Sequence, residues 1–537
     1  MKKSPNSVQT FEQGATILFV SGILVKIIGA FFKIPLSSDY CLGDIGFGYF
    51  SSVYDIYLPI YTLASTGIPS SVSRIISEYL ADNDYKNAAK IFGFIKRILF
   101  IIGIIGTAIL LILAFPFIKF TDKTGNTFLT YLFMCPAVLF CFMSSPYKGY
   151  FEGNRNMIPT AVSNIIDAFS KVLLGFTFAL FTVKSTGNFA LSSAFAIGGI
   201  ALGTLISYLF LRSYKKSVYN KNVLNDYSSE YKKQLYKKLY KICIPIILAS
   251  FAINLIPFID SLTVRPILGN IVDSKIHISD ILKSTRIDNT YLSEEIPTVL
   301  YGIKSKAYTI FNLVPVFSGF IASSALPSLT NEITIGDNDK AFKTANTAIK
   351  LSALISFPLG CGLIFVGTPI MNLLFGDNSS FSGGIMLSVY GLAALFAGLI
   401  IVFTSILQAS KKQNKAFLNI VIGLIIKLFL NFVLVSIPSV NIYGSVISTL
   451  ICFGYIAVSD YISISDIIKI KLFSSIFKPL ISAMICGISA FAIVRIIEFK
   501  YSIVFGICVA GIVYLIFLYI LKVFSLNEFK EILGKNA

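Results

Sequence analysis

Charge is what this sequence lacks. Of its 537 residues only 13% are charged, against 55% hydrophobic, and mean hydropathy is +0.78. A soluble domain carries about 25% charged residues, so this chain cannot clothe a globular surface of its size, and a soluble protein is excluded. Acids are the scarcer sign, 27 against 45 Lys and Arg. The resulting +18 would suit nucleic acid, but the basic residues punctuate apolar runs instead of lining one polar face, which excludes that partner. Histidine is nearly absent: His277 has no second His and no carboxylate at ligand spacing, so no metal site is expected. The eight cysteines (41, 135, 141, 243, 361, 452, 486 and 508) form no CxxC and sit mostly in apolar segments. They exclude a secreted disulfide scaffold and read as small buried hydrophobes. Walker A, GxSxG and Cys/His signatures are missing. Two DND triplets, at 82–84 and 337–339, resemble the acidic motif of sugar transferases. Both precede helix starts, where Asp84 and Asp339 suit N-caps. No enzymatic activity and no cofactor are expected.

What the sequence does have is long apolar runs. They fall near 14–36, 47–70, 90–117, 127–147, 157–183, 189–212, 238–264, 301–326, 346–370, 382–409, 416–437, 441–462, 474–497 and 501–523. Each is long enough for a transmembrane helix, and backbone groups in lipid must be satisfied within the segment, which favours helices over a barrel. The first follows a short polar start and has no A-x-A site after it, so it reads as an uncleaved span. The predicted fold is an all-α polytopic membrane protein of about fourteen spans. Counting Lys and Arg in alternate loops gives twenty-eight on the side of Lys2 and Lys3 and ten on the other. The positive-inside rule then places both termini in the cytoplasm. The basic stretch 213–237 becomes a cytoplasmic linker attracted to anionic lipid, and 265–300 an external loop.

The halves repeat at an offset near 256. Glu152 to Phe176 and Gln408 to Phe432 align without a gap, Lys171 falling on Lys427, and Pro69-Ser70 answers Pro327-Ser328 within a few residues. Six spans per repeat keep both halves in one membrane orientation, and transporters built this way bind substrate near the midplane. The expected organisation is an N-terminal lobe at 1–212, the linker at 213–237, a C-terminal lobe at 238–462, and two added spans with a cytoplasmic tail at 463–537.

Ionisable groups inside spans are costly unless they face a cavity or a partner. Lys26 sits mid-helix with Gly22 and Gly29 close to its face, and reads as a cavity-facing ligand-binding cation or as one half of a structural pair. Asp55, beside Pro59, reads as an ion-pair partner or as a ligand for a coupling ion. Asp167 and Lys171, four apart, suit a local pair, while Lys427 has no acid at that spacing. Asp260 and Arg265 end the seventh run, as a loop-anchoring pair or as substrate contacts. Lys304 and Lys306 are cavity cations or snorkel outward. Cations exceed anions, so the expected substrate is anionic, a carboxylate or a phosphate.

Gly14–Phe92 resembles the opening of the stage V sporulation protein B and MurJ-like proteins. These belong to the multidrug/oligosaccharidyl-lipid/polysaccharide exporter superfamily, which also holds the MATE transporters. The carriers are Lys26 with Gly29, Leu42-Gly43, GFGYF at 46–50 and GIPxxVSR at 67–74. Tyr301-Gly302, AYTIFNLVP at 307–315 and ALPSL at 325–329 resemble the family's eighth span. The resemblance implies two pseudo-symmetric six-helix lobes plus two C-terminal helices, and alternating access. It also implies flipping of undecaprenyl-pyrophosphate-linked peptidoglycan precursor, lipid II, across a bacterial plasma membrane. The drive would be an ion gradient, with a monovalent cation as partner, or membrane potential, and the protein would act as a monomer. In that family first-helix basic residues meet the pyrophosphate; Lys26 and Lys33 take those positions. Both are Lys where its lipid II flippases carry Arg, so bidentate phosphate contact is lost and the sporulation-protein-like branch is favoured. The alternatives are a flippase for another polyprenyl-linked saccharide and a MATE-type antiporter, whose cationic substrates would want an acidic cavity.

Overall fold

A computed structural model describes residues 9, 11–81, 84–122, 124–218, 254–273, 278–287, 291–376, 379–468, 470–471, 473–497 and 502–523. Among these every regular element is a helix, and thirteen helical stretches are long and apolar enough to cross a bilayer. The chain is a multi-pass helical membrane protein. Two compact units emerge: Met1–Asp273 with Ser293–Gly302, and Ser274–Leu292 with Ile303–Ala537. In the first lie α1 (Phe11–Leu36), α2 (Gly43–Thr62), α3 (Ile68–Ala81), α4 (Tyr85–Thr121) and α5 (Phe128–Gly153). They are followed by α6 (Ile158–Ser170), α7 (Phe176–Thr186), α8 (Phe189–Val218) and α9 (Leu255–Asp273). In the second, after α10 (Ile278–Thr285) and α11 (Ile296–Phe311, whose first turns belong to the first unit), come α12 (Val314–Ile335), α13 (Asn338–Phe375) and α14 (Ser380–Ala409). The last four are α15 (Gln413–Val435), α16 (Tyr443–Ser465), α17 (Lys478–Ile496) and α18 (Ser502–Ile520).

The second expected run, 47–70, is the one not apolar enough to count among the thirteen, yet it is helical throughout. A π turn at Leu63–Gly67 joins α2 to α3. Tyr, Ser and Asp lower its hydropathy, and most of α2 is buried in the first unit, shielded from lipid. The run at 238–264 enters the described residues only at 254, and most of the 213–237 linker, Cys243, His277 and the Asp82-Asn83 pair lie outside them. The stretch 265–300, expected as a loop, is largely helical instead. Helix α9 continues to Asp273, α10 follows with Asp280 in its first turn and Lys283 in its last, and α11 starts at Ile296. Such charge placement favours the α10 dipole. Helices α11 and α12 meet at a break over Asn312-Leu313, with Pro315 in the first turn of α12, where its missing N–H costs nothing. Of the DND triplets, Asp84 caps α4 as expected. In the second the cap is Asp337, not Asp339, because left-handed Gly336 ends α12 directly before it.

The repeat is visible in the backbone. Arg155 and Lys411, 256 residues apart, both adopt positive φ (54° and 58°). The hydrogen bonds around them correspond one by one: Arg155 N to Glu152 O and Asn156 N to Phe151 O, against Lys411 N to Gln408 O and Lys412 N to Leu407 O.

Glycines set the closest helix crossings in the first unit. A Cβ on Gly302 would lie 1.9 Å from Asp44 O, and one on Gly48 would lie 2.1 Å from Thr298 O. The GFGYF and Tyr301-Gly302 motifs are thus the two sides of one backbone contact. Gly149 and Gly153 of α5 likewise admit Val72 and Ile76 of α3, a small-xxx-small crossing that uses the GIPxxVSR segment. Gly302→Ala should therefore lower stability by about 1–3 kcal/mol in thermal unfolding of the detergent-solubilised protein. Gly22→Ala, with nothing within 4 Å of the added methyl, should leave it unchanged or raise it by about 0.5–1 kcal/mol.

Candidate functional site

Helix α2 carries an aromatic ladder. Phe47, Phe50, Tyr54, Tyr57 and Tyr61, three or four residues apart, stack with ring centroids 5.4–6.0 Å apart. Helical periodicity puts such residues on one face. Two ammonium groups sit on the ladder: Lys33 lies 4.3 Å from the Tyr54 ring centre and Lys171 4.2 Å from that of Tyr61. Cation–π contacts of this kind hold a lysine without neutralising it.

Below the ladder, α6 supplies the local pair expected from spacing. Lys171 Nζ lies 2.6 Å from Asp167 Oδ2, which also accepts from the Tyr61 hydroxyl at 2.9 Å. Lys171 opens a second π turn, Lys171–Gly175; π turns recur at functional sites. Tyr61, Asp167, Ser65, Cys141, Ser144, Lys148, Thr204 and Ser207 line a cavity of about 10 Å³, room for one water. Asp167 is 3% exposed and its Oδ1 has no partner among the described residues, so a water there would complete its hydrogen bonding. Lys148, equally buried, donates to Asn164 Oδ1 at 2.7 Å. Nothing in the sequence distinguished Lys148, which falls at the edge of its run and reads as a loop cation.

Asp55 accepts from the Tyr301 hydroxyl at 2.7 Å, both buried. Lys26 is different. Midway along α1, it is exposed, and the space beside Gly22 and Gly29 is open. The first unit thus brings Lys33, Asp55, Asp167 and Lys171 along one helix, and leaves Lys26 presented from α1.

Arg265 lies within α9, not at a span end. Its guanidinium meets Asp122 Oδ1 at 3.2 Å, Thr298 Oγ1 at 2.8 Å and Ser52 Oγ at 3.2 Å, with Arg265 3% exposed. The partner is therefore Asp122, in the turn after α4, where the pair expected from sequence was Asp260, itself buried in α9. Burial pushes the Asp122 carboxyl up, but Arg265 and the Thr124 and Thr127 donors hold it below the usual carboxylate value. Its contribution to stability is present above the ordinary Asp range and fades as pH falls through the lowered value. Cys41, between α1 and α2, is buried and its thiol pushed up to about 11, an inert group.

In the second unit Lys304 and Lys306 are fully buried and do not snorkel. Lys306 donates to Ser379 Oγ at 3.2 Å and lies 5.3 Å from the Phe375 ring centre. Lys427, also fully buried, donates to Thr449 Oγ1 at 2.7 Å, with Ser448 and the Ser445 carbonyl at 3.4 Å. Asp460, absent from the sequence candidates, accepts from Asn419 Nδ2 at 2.8 Å and from Thr404 Oγ1 at 3.3 Å. Among the described residues no group of three or more His, Cys, Asp or Glu could hold a metal.

A sequence profile of the polysaccharide biosynthesis protein family matches residues 11–330, more than half of the chain. The chain belongs to that family. A profile of the lipid II flippase MurJ matches residues 305–527. Stage V sporulation protein B of Bacillus subtilis is 23% identical over 98% of both chains. The uncharacterised membrane protein YabM of the same organism is 26% identical, over 83% of this chain and 78% of its own. A solved structure of the lipid II flippase MurJ in an inward closed conformation superposes with TM-score 0.65 at 15% identity, covering 94% of this chain and 99% of that one; this shows the shared fold. The resemblance drawn from Gly14–Phe92 and Tyr301–Leu329 is borne out.

Arg265→Ala should cost about 3–5 kcal/mol, the price of leaving a buried partner charge alone. Adding Asp122→Asn should recover part of that loss in the same thermal unfolding assay, because the stranded carboxylate is then removed.

Proposed function

We propose that this protein flips an undecaprenyl-pyrophosphate-linked saccharide, lipid II first among candidates, across a bacterial plasma membrane by alternating access. The observation that carries this reading is Lys26: an exposed ammonium in the middle of an apolar span, flanked by open space at Gly22 and Gly29. In hydrocarbon such a group would cost about 2.5–3.5 kcal/mol or more, so it faces water or an anionic ligand. Lys33, held on Tyr54 seven residues on, lies on the same helical face about 10 Å away, a span suited to successive contacts along a pyrophosphate and its first sugar. Lys171 and Lys427 are secondary candidates for anion contact, and Lys304 a third. Asp55, Asp167 and Asp260 are ligands for a coupling cation or members of structural pairs. Both termini lie in the cytoplasm, and the chain works as a monomer.

Membership of the polysaccharide biosynthesis protein family favours a second reading, in which the polyprenyl pyrophosphate carries another glycan. Lys26 serves that cargo equally, since the shared chemistry is the pyrophosphate.

The test is outer-leaflet exposure of lipid II in cells depleted of their own flippase. Wild-type protein should restore exposure, and Lys26→Ala, present at equal level in the membrane, should lower it at least about tenfold, the loss of one charge-assisted contact. Restoration by neither, with both in the membrane, points to another glycan. Restoration by both removes Lys26 from the site.

A further inference from the structure

The polar clusters of the two units occupy equivalent positions in the repeat. Thr404, Asn419 and Asp460 fall 256 residues beyond Lys148, Ser163 and Thr204, the same offset at which the Arg155 and Lys411 turns correspond. In the first unit the acid at this level has a cationic partner: Asp167 has Lys171 as well as the Tyr61 hydroxyl, while Lys148 donates to the neutral Asn164 amide. In the second unit the acid has no cationic partner among the described residues. Asp460 is 0% exposed, and its only partners among the described residues are the Asn419 amide and the Thr404 hydroxyl, both neutral.

The helices packed on α16 offer no cation to Asp460. Helix α14 contains no acid or base beyond Tyr390. Helix α15 brings Lys415, which is exposed, and Lys427, whose ammonium binds Thr449, eleven residues before Asp460 and about 16 Å away along the helix. Helix α16 itself adds Cys452 and tyrosines 443, 455 and 461. An ionised carboxylate enclosed this way costs several kcal/mol that two neutral hydrogen bonds do not return. A neutral carboxyl satisfies every atom: Oδ1 accepts from Asn419, and a proton on Oδ2 is donated to Thr404 Oγ1. A metal cation would find fewer oxygens here than a hard ion takes.

We propose that Asp460 is a proton-binding site, occupied in this conformation and emptied when the ends of its helices hydrate. Thr404 lies five residues before the end of α14, Asn419 six after the start of α15, and Asp460 five before the end of α16. All three therefore sit about one and a half turns from one common end. Release transfers the Oδ2 proton to water at that end and leaves a hydrated carboxylate; reloading reverses it. The coupling ion of the transport cycle is then a proton. That last step rests on the flippase reading, whereas the protonation of Asp460 does not.

Two measurements on the full-length protein test this separately. In detergent at pH 7, infrared spectra of the wild type should show a buried carboxylic acid C=O band. The band should be missing from Asp460→Asn, which keeps both hydrogen bonds, and shifted in Asp460→Glu. An unchanged band in Asp460→Asn means that Asp460 is ionised and overturns the proposal. In proteoliposomes carrying lipid II, a pH gradient should accelerate wild-type flipping several-fold and leave the Asp460→Asn rate unchanged. Equal acceleration of both overturns the coupling role. Wild type that moves no lipid II, while the infrared band behaves as expected, fails the flippase reading alone and leaves the proton site standing.

Discussion

The first unit is organised by the need to keep α2 out of lipid. Its Asp, Ser and Tyr side chains would each leave polar groups unsatisfied in hydrocarbon, so other helices must cover it and supply partners. They do so at every level. Tyr301 reaches Asp55 from α11, Arg265 reaches Ser52 from α9, Cys141 meets the Tyr57 hydroxyl from α5, and Asp167 takes the Tyr61 hydroxyl from α6. Close approach is possible because Gly48 and Gly302 present bare backbone to one another's helices. A single polar helix thus dictates where four neighbours go.

That arrangement also explains why the ionisable groups of the first unit are so unequal. Arg265 serves structure: its Asp122 contact pins the turn between α4 and α5, and its two terminal nitrogens also donate to Ser52 and Thr298. Asp167 and Lys171 are held together at a π turn, where one extra residue per turn shifts the register of the helix that follows. Gly175, which closes that turn, packs against Gly199 of α8 so tightly that a Cβ on Gly199 would meet its backbone at 2.3 Å. The pair is thereby fixed on a rigid crossing. Lys26, exposed midway along α1, has no such partner among the described residues.

Much of this was legible in the sequence. Apolar runs located the helices, and the repeat and the glycine-bearing motifs pointed to the fold, because lipid imposes one solution on long apolar segments. The i,i+4 pairing of Asp167 with Lys171 was legible too, since helical geometry alone brings the two together. Contacts between distant segments were not. Arg265 and Asp122 are separated by more than a hundred residues, and no local pattern announces their pairing; the nearer Asp260 was the natural choice. Lys304 and Lys306 read as snorkelling cations because their neighbours in sequence are apolar, whereas their surroundings in space include Ser379 and Phe375. Asp460 was hidden by its place near the end of a run, where an acid looks like a loop residue. The repeat held the missing signal: Asp460 aligns with Thr204, inside a helix.

The two units therefore share a backbone and differ in chemistry. Duplication preserved what packing requires, down to the left-handed residue and paired hydrogen bonds of the α5–α6 and α14–α15 turns. Side chains at equivalent polar positions were free to diverge, provided each set satisfied its own buried groups. In the first unit the buried acid Asp167 meets the Lys171 ammonium; in the second, Asp460 meets the Asn419 amide and the Thr404 hydroxyl. A charge balanced internally stays as it is through a conformational cycle, but a neutralised carboxyl changes state whenever water reaches it. Among the described residues, the second unit differs from the first in enclosing an acid with neutral partners, and the first in presenting an exposed lysine, Lys26, midway along α1.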